Sequence, residues 1–289
     1  MSKAMDGAVI HHLGYRRHDG PVSGRPRILG HLLVHSLRTA FGIGRGDKAK
    51  IVPWGLTGIV VCVAVTSLVL RVRTGAPTIG YLDLQTAITP LLLVLLATMA
   101  PALIGADLRH HLLDLYLARR IPVNDYLLAK LGGLGCALWL VLAAATLITE
   151  GGTLVAGGTG APWRQLAHLA GGLVADLLYA CVFAAVGVAL SATTRRPALA
   201  GASIVAYVLA SNVVGMVGGG LVGGDLGKTI GQLLTAPEMV NGLATWLFRV
   251  HGTNVDGYGG AFPVVTVVFV AGCLAFARWR VARTPFSAR

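Results

Sequence analysis

The chain has 289 residues, of which 55% are hydrophobic and only 12% are charged, whereas roughly a quarter of the residues of a typical soluble domain are charged. This composition excludes an ordinary soluble globular protein. The formal net charge is +12, and we interpret it as attraction to anionic lipid headgroups and not as a nucleic-acid footprint, because Lys and Arg concentrate in alternate connections between apolar runs.

The N-terminal region, residues 1–50, is polar and basic, and no cleavable signal peptide is apparent in it. We predict a loosely held arm followed by an amphipathic helix from Pro26 to Phe41, in which leucines recur at four-residue spacing. Such a helix would lie in the headgroup layer before the first span. His31 and His35 are one turn apart, but no carboxylate or cysteine accompanies them, which favours solvated side chains over a metal site.

Six apolar runs follow, each long enough to cross a hydrocarbon core, which takes about 20 helical residues. They are continuously apolar, which favours helices over the alternating strands of a barrel. We therefore predict an all-α, polytopic membrane protein whose domain 51–289 contains spans at about 51–70, 84–106, 127–149, 169–190, 198–219 and 259–277. Four cysteines lie inside these runs without a C-x-x-C pair and are interpreted as small core residues.

The distribution of Lys and Arg predicts the orientation. Nine lie in residues 1–50, four between the second and third spans, two between the fourth and fifth, and four in the tail, whereas the remaining connections hold five. Because positively charged connections stay cytoplasmic, we expect both termini on the cytoplasmic side of the plasma or inner membrane.

The connection 107–125 is the most informative of the cytoplasmic stretches. Leu108, Leu112, Leu115 and Tyr116 form one apolar stripe, while Arg109 and Asp114 occupy other faces. The periodicity leaves two interpretations open: a short helix that docks into a groove on a partner, or one that lies on lipid. Pro122 should end this helix, and Asn124 or Asp125 could cap the third span.

The run Leu115–Lys130, LYLARRIPVNDYLLAK, resembles the segment between the second and third spans of permease subunits of type-2 ATP-binding-cassette transporters. Arg120 and Pro122 depart from the family pattern, in which a proline and a hydroxyl residue are common at these positions. The matching residues are Tyr116, Leu117, Arg119, Ile121, Tyr126, Ala129 and Lys130.

The resemblance implies a coupling helix that contacts a soluble ATPase subunit, present in two copies, which would bind ATP and Mg while this chain binds no cofactor. It also implies an exporter, formed with a second permease copy or a related chain, and an external helical hairpin within 220–258. On sequence alone the segment is interpreted as a pair of interfacial helices on the outer surface, which Pro237 and Asn241–Gly242 are expected to break into two short helical pieces. The implied ATPase-interface residues are Asp107, Arg109, Leu112, Asp114, Tyr116, Arg119 and Arg120, with a turn formed by Pro122, Asp125, Tyr126 and Lys130.

Intrinsic catalysis is not expected. The stretch 221–229, LVGGDLGKT, is similar to a phosphate-binding loop, but Val222 stands where G-x-x-x-x-G-K-[ST] requires glycine. No H-E-x-x-H or G-x-S-x-G motif occurs. We therefore expect no enzyme activity in the chain itself, and ATP hydrolysis only in a partner.

Three polar residues within the apolar runs are candidates for a translocation path: Asp176, Ser211 and Asn212. Acids inside a membrane are costly and often functional, although Asp176 could also lie near the outer end and pair with Arg164. Ser211 and Asn212 could instead tie helices together. Five glycines of the third and fifth runs are predicted to be packing positions where helices approach closely: Gly132, Gly133, Gly201, Gly215 and Gly219. Two rival functions remain: an ion-gradient-driven secondary transporter that uses Asp176, and a non-transporting membrane scaffold.

Overall fold

The computed structural model describes residues 24–44, 46–74, 82–109, 122–156, 162–248 and 259–283. In these residues every regular element is helical, which confirms the all-α class. The elements are α1 (Arg25–Ala40), α2 (Lys48–Thr74), α3 (Asp83–Ala100), π1 (Pro101–Gly105), α4 (Ala106–Arg109), α5 (Val123–Thr146), π2 (Leu147–Gly151), α6 (Gly152–Val155), α7 (Pro162–Ser191), α8 (Pro197–Val222), α9 (Gly224–Leu234), α10 (Ala236–Leu247) and α11 (Ala261–Ala282).

Six helical segments in the described ranges are long and apolar enough to cross a membrane, so the chain is a multi-pass membrane protein. The first to sixth spans are Lys48–Thr74, Leu84–Arg109, Val123–Val155, Trp163–Ser191, Pro197–Val222 and Ala261–Ala282. They extend beyond most of the predicted bounds because the helices continue into the polar residues that flank the apolar runs. Consecutive spans cross in opposite directions, and we call the face where odd-numbered spans begin the basic end.

The core of the bundle consists of the second, third and fourth spans. Of their most apolar stretches, 56%, 56% and 67% is buried, compared with 11%, 22% and 17% for the first, fifth and sixth spans. Three spans therefore present most of their apolar surface outward. The core residues of the central spans include Leu92, Leu95, Leu96, Met99, Leu134, Leu138, Leu142, Tyr179, Phe183 and Val188.

Glycines and prolines set the close contacts within this core. Pro101 begins π1 and, lacking an N–H, cannot bond the carbonyl of Ala97. A Cβ at Gly201 would lie 2.7 Å from that carbonyl oxygen, so the fifth span approaches the second at the position that the proline alters. Gly201 is therefore a packing position, as predicted, and its partner is the backbone of Ala97 in the second span.

The N-terminal helix α1 packs against the third span. Its buried residues are Leu32, Ser36 and Ala40, and a side chain at Gly133 would overlap Ser36. The predicted helix is therefore present with nearly the predicted bounds, and one of its faces contacts protein. The small residues of the third span permit this approach.

The segment between the fifth and sixth spans forms two helices: α9 folds back along the fifth span, and α10 packs mainly against the fourth and sixth spans. Gly223 and Gly224 have φ angles of 66° and 62°, which reverse the chain after that span. Pro237 lies at the start of α10, as predicted. The expectation that Asn241–Gly242 breaks the segment is wrong, because both residues lie inside α10 and Gly242 is packed against the Phe262 ring. Residues 249–258 lie outside the described ranges.

Candidate functional site

The two spans that flank the predicted coupling helix are joined at the basic end by buried charges. Leu112, Asp114, Tyr116, Arg119 and Arg120 lie outside the described residues. The remaining predicted residues of the segment are described and lie on either side of it: Asp107, Arg109, Pro122, Asp125, Tyr126 and Lys130.

Asp107, at the end of the second span, accepts two contacts from the first turns of the third. Lys130 Nζ lies 2.7 Å from Asp107 Oδ2, and the Tyr126 hydroxyl donates to the same oxygen at 2.8 Å. Lys130 also donates to the carbonyl of Leu103 at 3.1 Å, and its ammonium lies 5.6 Å from the Tyr126 ring centroid, within cation–π range. The ammonium group is thus held by three neighbours.

Leu103 lies in π1, where the backbone ladder departs from the regular i→i−4 pattern. Lys130 and Asp107 are almost completely buried, with side-chain exposures of 2% and 9%. Burying either charge alone would be strongly unfavourable. The pair therefore fixes the C-terminal end of the second span against the N-terminal end of the third.

Asp125 connects the same region to α1. Arg25 Nε lies 2.5 Å from Asp125 Oδ2, and Nη2 donates to Oδ1 at 2.6 Å, which is the bidentate geometry that suits guanidinium and carboxylate. These hydrogen bonds raise the pKa of Arg25, so the guanidinium stays charged. We call Arg25, Asp107, Asp125, Tyr126 and Lys130 the ionic cluster.

The predicted side-chain cap of the third span is wrong. Pro122 is the N-cap residue, the helix begins at Val123, and no side chain caps it. The carboxylate of Asp125 is bound by Arg25 instead. Arg109 is exposed and does not belong to the ionic cluster.

Sequence reasoning selected four members of the ionic cluster but not their mutual contacts, and it missed Arg25 as a member. The pairing of Arg25 with Asp125 spans 100 positions, and no periodicity indicates so distant a contact. Asp107 and Lys130 carried a usable signal, because they are opposite charges at the facing ends of two consecutive apolar runs.

Asp176 lies in the interior of the bundle, where its side chain contacts Gln85 of the second span. Gln85 Nε2 donates to Asp176 Oδ1 at 2.8 Å, and both residues are completely buried. The Thr146 hydroxyl of the third span lies close to the same carboxyl group but has no hydrogen bond of regular geometry. The hydrogen bond between Asp176 and Gln85 thus links the fourth span to the second.

The alternative in which Asp176 pairs with Arg164 is wrong. The guanidinium of Arg164 lies over the Trp163 ring, 5.2 Å from its centroid. Asp176 is 12 positions further along the helix that begins at Pro162, which at about 1.5 Å per residue separates the two by several turns. Asp176 is also completely buried among the described residues.

Three contacts tie the bundle together at the end opposite the basic end. The Tyr179 hydroxyl donates to the carbonyl of Pro237 at 3.3 Å and lies 3.2 Å from the hydroxyl of Thr86, which links α10 to the second and fourth spans. Arg71 donates to Glu150 at 2.7 Å, which links the first span to π2. The sequence contains no motif that marks Thr86, Tyr179 or Glu150 for these contacts.

Ser211 and Asn212 occupy different environments and do not meet Asp176. Ser211 is buried and donates to the carbonyl of Val208 at 2.8 Å, while its own carbonyl accepts from Thr235 of the hairpin at 3.4 Å. Asn212 is exposed on the outer face of the fifth span beside Val213 and Val214. Ser211 ties helices together, whereas Asn212 presents a polar group on an apolar exterior.

The stretch that is similar to a phosphate-binding loop is a helix contact. It follows a helical span instead of a strand, and Gly227 packs directly on the Gly219 carbonyl. Lys228 contacts Asp225 at 3.3 Å on the exposed side of α9.

Neither the protein-family models nor the curated proteins compared with this chain match it. Fold and site together define a class: a six-span helical membrane protein with an N-terminal helix docked on its third span, and an ionic cluster at the facing ends of the second and third spans.

Proposed function

We propose that this protein is the membrane-spanning permease subunit of an ATP-driven exporter in the cell membrane, with its termini in the cytoplasm. Separate soluble ATPase subunits, present in two copies, would bind ATP and Mg and contact the segment 110–121. The chain would perform no catalysis itself. A second copy, or a related chain, would complete the translocation path.

The ionic cluster is the observation that carries this proposal. A partner pressing on the segment 110–121 acts on both flanking spans at once, because Lys130 and Asp107 join them. Arg25 transmits the same displacement to α1 through Asp125. Packed elements joined in this way move as a unit, so a small displacement of the segment would tilt two central spans together.

The outer surface favours a second membrane-embedded copy. The first, fifth and sixth spans bury little of their apolar stretches within one chain. Asn212 is exposed on the fifth span, and an amide that faces lipid is costly, whereas across a helix–helix interface it can find a hydrogen-bond partner. We place the fifth span at the contact between copies on this basis.

A secondary transporter that uses Asp176 is the second candidate. It is favoured by the burial of this acid in the membrane interior, where ionisable residues mark proton relays. The contact with Gln85 provides a purely structural reason for the same residue, and for this reason we rank the candidate second. A non-transporting scaffold is ranked third.

The test is purification of the detergent-solubilised chain from its native membrane, followed by mass spectrometry and an ATPase assay. We expect a soluble ATPase in equal amount, two copies of each, and loss of the ATPase when Leu112 and Tyr116 are both changed to Asp. A matched control changes Ile51 and Val52 to Asp, two exposed apolar residues of the first span at the same end. Recovery of the chain without an ATPase would overturn the proposal and favour ion-driven transport.

A further inference from the structure

A groove of about 550 Å³ opens at the basic end, between the first two turns of the third span and the last turns of the sixth. Its size falls within the range of about 300–1,000 Å³ typical of sites for small molecules. It is distinct from the ionic cluster, none of whose members lines it. Its lining residues include Asn124, Leu127, Leu128, Leu274, Arg278 and Trp279.

The groove is apolar along most of its length and polar at one end. Leu128 and Trp279 are 55% and 47% exposed, so their apolar surface is available to an occupant. The polar groups are Asn124 and Arg278, both exposed. Such a combination suits an amphiphile with one charged group and a hydrocarbon chain.

The charge of that group follows from the arginines of the sixth span. Arg280 donates to the carbonyl of Thr193 at 3.1 Å, and the Arg283 guanidinium lies 4.6 Å from the Trp279 ring centroid. Arg278, by contrast, makes no hydrogen bond or ion pair with any residue that the structure describes. It is therefore a positive charge beside an apolar groove.

The third span adds a second positive feature to the same end of the groove. No side chain caps its N-terminus, so the first-turn amides of Val123 and Asn124 keep their partial positive charge. The one acid of this turn, Asp125, is bound by Arg25 and does not neutralise the site. Anionic oxygens bind well to such helix termini when a cation is also present.

We propose that this groove binds an anionic phospholipid of the leaflet at the basic end. Arg278 and the first-turn amides of the third span would hold the phosphate, and an acyl chain would lie along Leu127, Leu128 and Leu274. The depth of the groove in the membrane is consistent with a lipid headgroup at its polar end, because Trp and Arg side chains mark the headgroup region of membrane proteins. This inference does not depend on transport or on an ATPase.

Trp279 provides a direct readout, because it lines the groove and brominated lipids quench tryptophan fluorescence on contact. The protein is reconstituted into phosphatidylcholine vesicles that contain either brominated phosphatidylglycerol or brominated phosphatidylcholine. The Trp279→Phe variant gives the signal of the other four of the five tryptophans, which is subtracted. We expect about a fivefold preference of the Trp279 component for the anionic lipid, the ratio that one arginine near a membrane surface supplies.

Two matched pairs of variants separate this site from general membrane contact. Arg278→Gln should abolish the preference, whereas Arg195→Gln, which removes an exposed arginine at the same end, should retain it. Ala275→Leu, which fills the wall of the groove, should reduce quenching by both lipids, whereas Ala271→Leu, one turn earlier, should not.

Three results would overturn the proposal. Equal quenching of wild-type Trp279 by the two lipids would indicate unselective lipid contact. An equal loss of preference in the two arginine variants would indicate general surface charge. Absence of quenching of the Trp279 component would mean that protein covers the groove. Thermal unfolding of each variant shows whether it is folded. The comparison of the two brominated lipids with the wild-type protein tests the proposal even where a variant fails to fold.

Discussion

The four acidic residues that the described part of the chain buries each contact a donor on another element. Asp107 contacts Lys130, Asp125 contacts Arg25, and Glu150 contacts Arg71. Asp176 differs, because its hydrogen-bond donor is the neutral amide of Gln85. Buried charges need a compensating charge, whereas a neutral polar group needs only hydrogen bonds. Three of the four buried acids are therefore held in ion pairs, and the fourth, Asp176, is held by a hydrogen bond from an uncharged side chain.

Removing one member of the buried pair should be far more costly than removing both. We expect Lys130→Met to destabilise the protein by about 3–5 kcal/mol, because it leaves Asp107 buried without its cation. The double variant with Asp107→Asn should recover much of this loss, since the Tyr126 hydroxyl keeps an acceptor. Thermal unfolding in detergent measures both.

The matched control for this pair is Lys50→Met, because Lys50 contacts Asp47 in an exposed pair three residues apart on one turn. Such pairs contribute about 0–1 kcal/mol. A double variant that is no more stable than Lys130→Met alone would contradict the compensation argument.

The neutral surroundings of Asp176 predict tolerance of an uncharged side chain of the same shape. Asp176→Asn keeps an oxygen to accept from Gln85, and its amide can donate to the buried Gln85 Oε1, which has no donor in the structure. We expect its unfolding midpoint to stay close to that of the wild type. Asp176→Leu should lose about 1–3 kcal/mol, because it leaves the Gln85 amide unsatisfied. Equal destabilisation by the two substitutions would show that the negative charge itself is required.

At the scale of elements, small residues decide which helices approach most closely. A Cβ at Gly219 would lie 2.8 Å from the Gly227 carbonyl, and one at Gly231 would lie 2.8 Å from that of Gly215. Two glycine pairs at four-residue spacing therefore face each other across the fifth span and α9. Helices can reach backbone contact only where neither carries a side chain.

Replacing a glycine of this contact should separate α9 from the fifth span. We expect Gly227→Ala to increase amide hydrogen exchange throughout α9, because the added methyl group meets the backbone of Gly219. Gly220→Ala is the matched control, since no atom lies within 4 Å of its Cβ position, and alanine favours the helix. Unchanged exchange in Gly227→Ala, or equal effects of the two variants, would show that the glycine contact does not hold the hairpin.

The sequence predicts the spans well because apolar length and composition are local properties. It also identifies Gly133, Gly201, Gly215 and Gly219 as packing positions, but not their partners, which lie on distant elements. The pairing of Arg25 with Asp125 and the burial of Asp176 against Gln85 could not be predicted for the same reason. Pro237 correctly predicts a break between two helical pieces, whereas Gly242 does not end a helix. A glycine that packs against a ring and one that ends a helix look alike in sequence.

At the scale of the whole molecule, the bundle has a well-buried centre and three spans with largely exposed apolar faces. The centre includes both spans that flank the segment 110–121, and the ionic cluster joins them at the basic end. The proposed exporter follows from this division, because force applied at that end reaches the centre while the outer spans remain available for a second copy. In such an exporter, ATP bound by a partner would displace the ionic cluster and α1 together.

Hydrogen exchange of the purified complex, with and without a non-hydrolysable ATP analogue, measures this displacement. We expect the analogue to change exchange in residues 25–36 and 123–130 together, and we expect no change in either range for the chain without its ATPase. Exchange that the analogue leaves unchanged in both ranges, or that it changes as much in the chain without the ATPase as in the complex, would contradict this displacement.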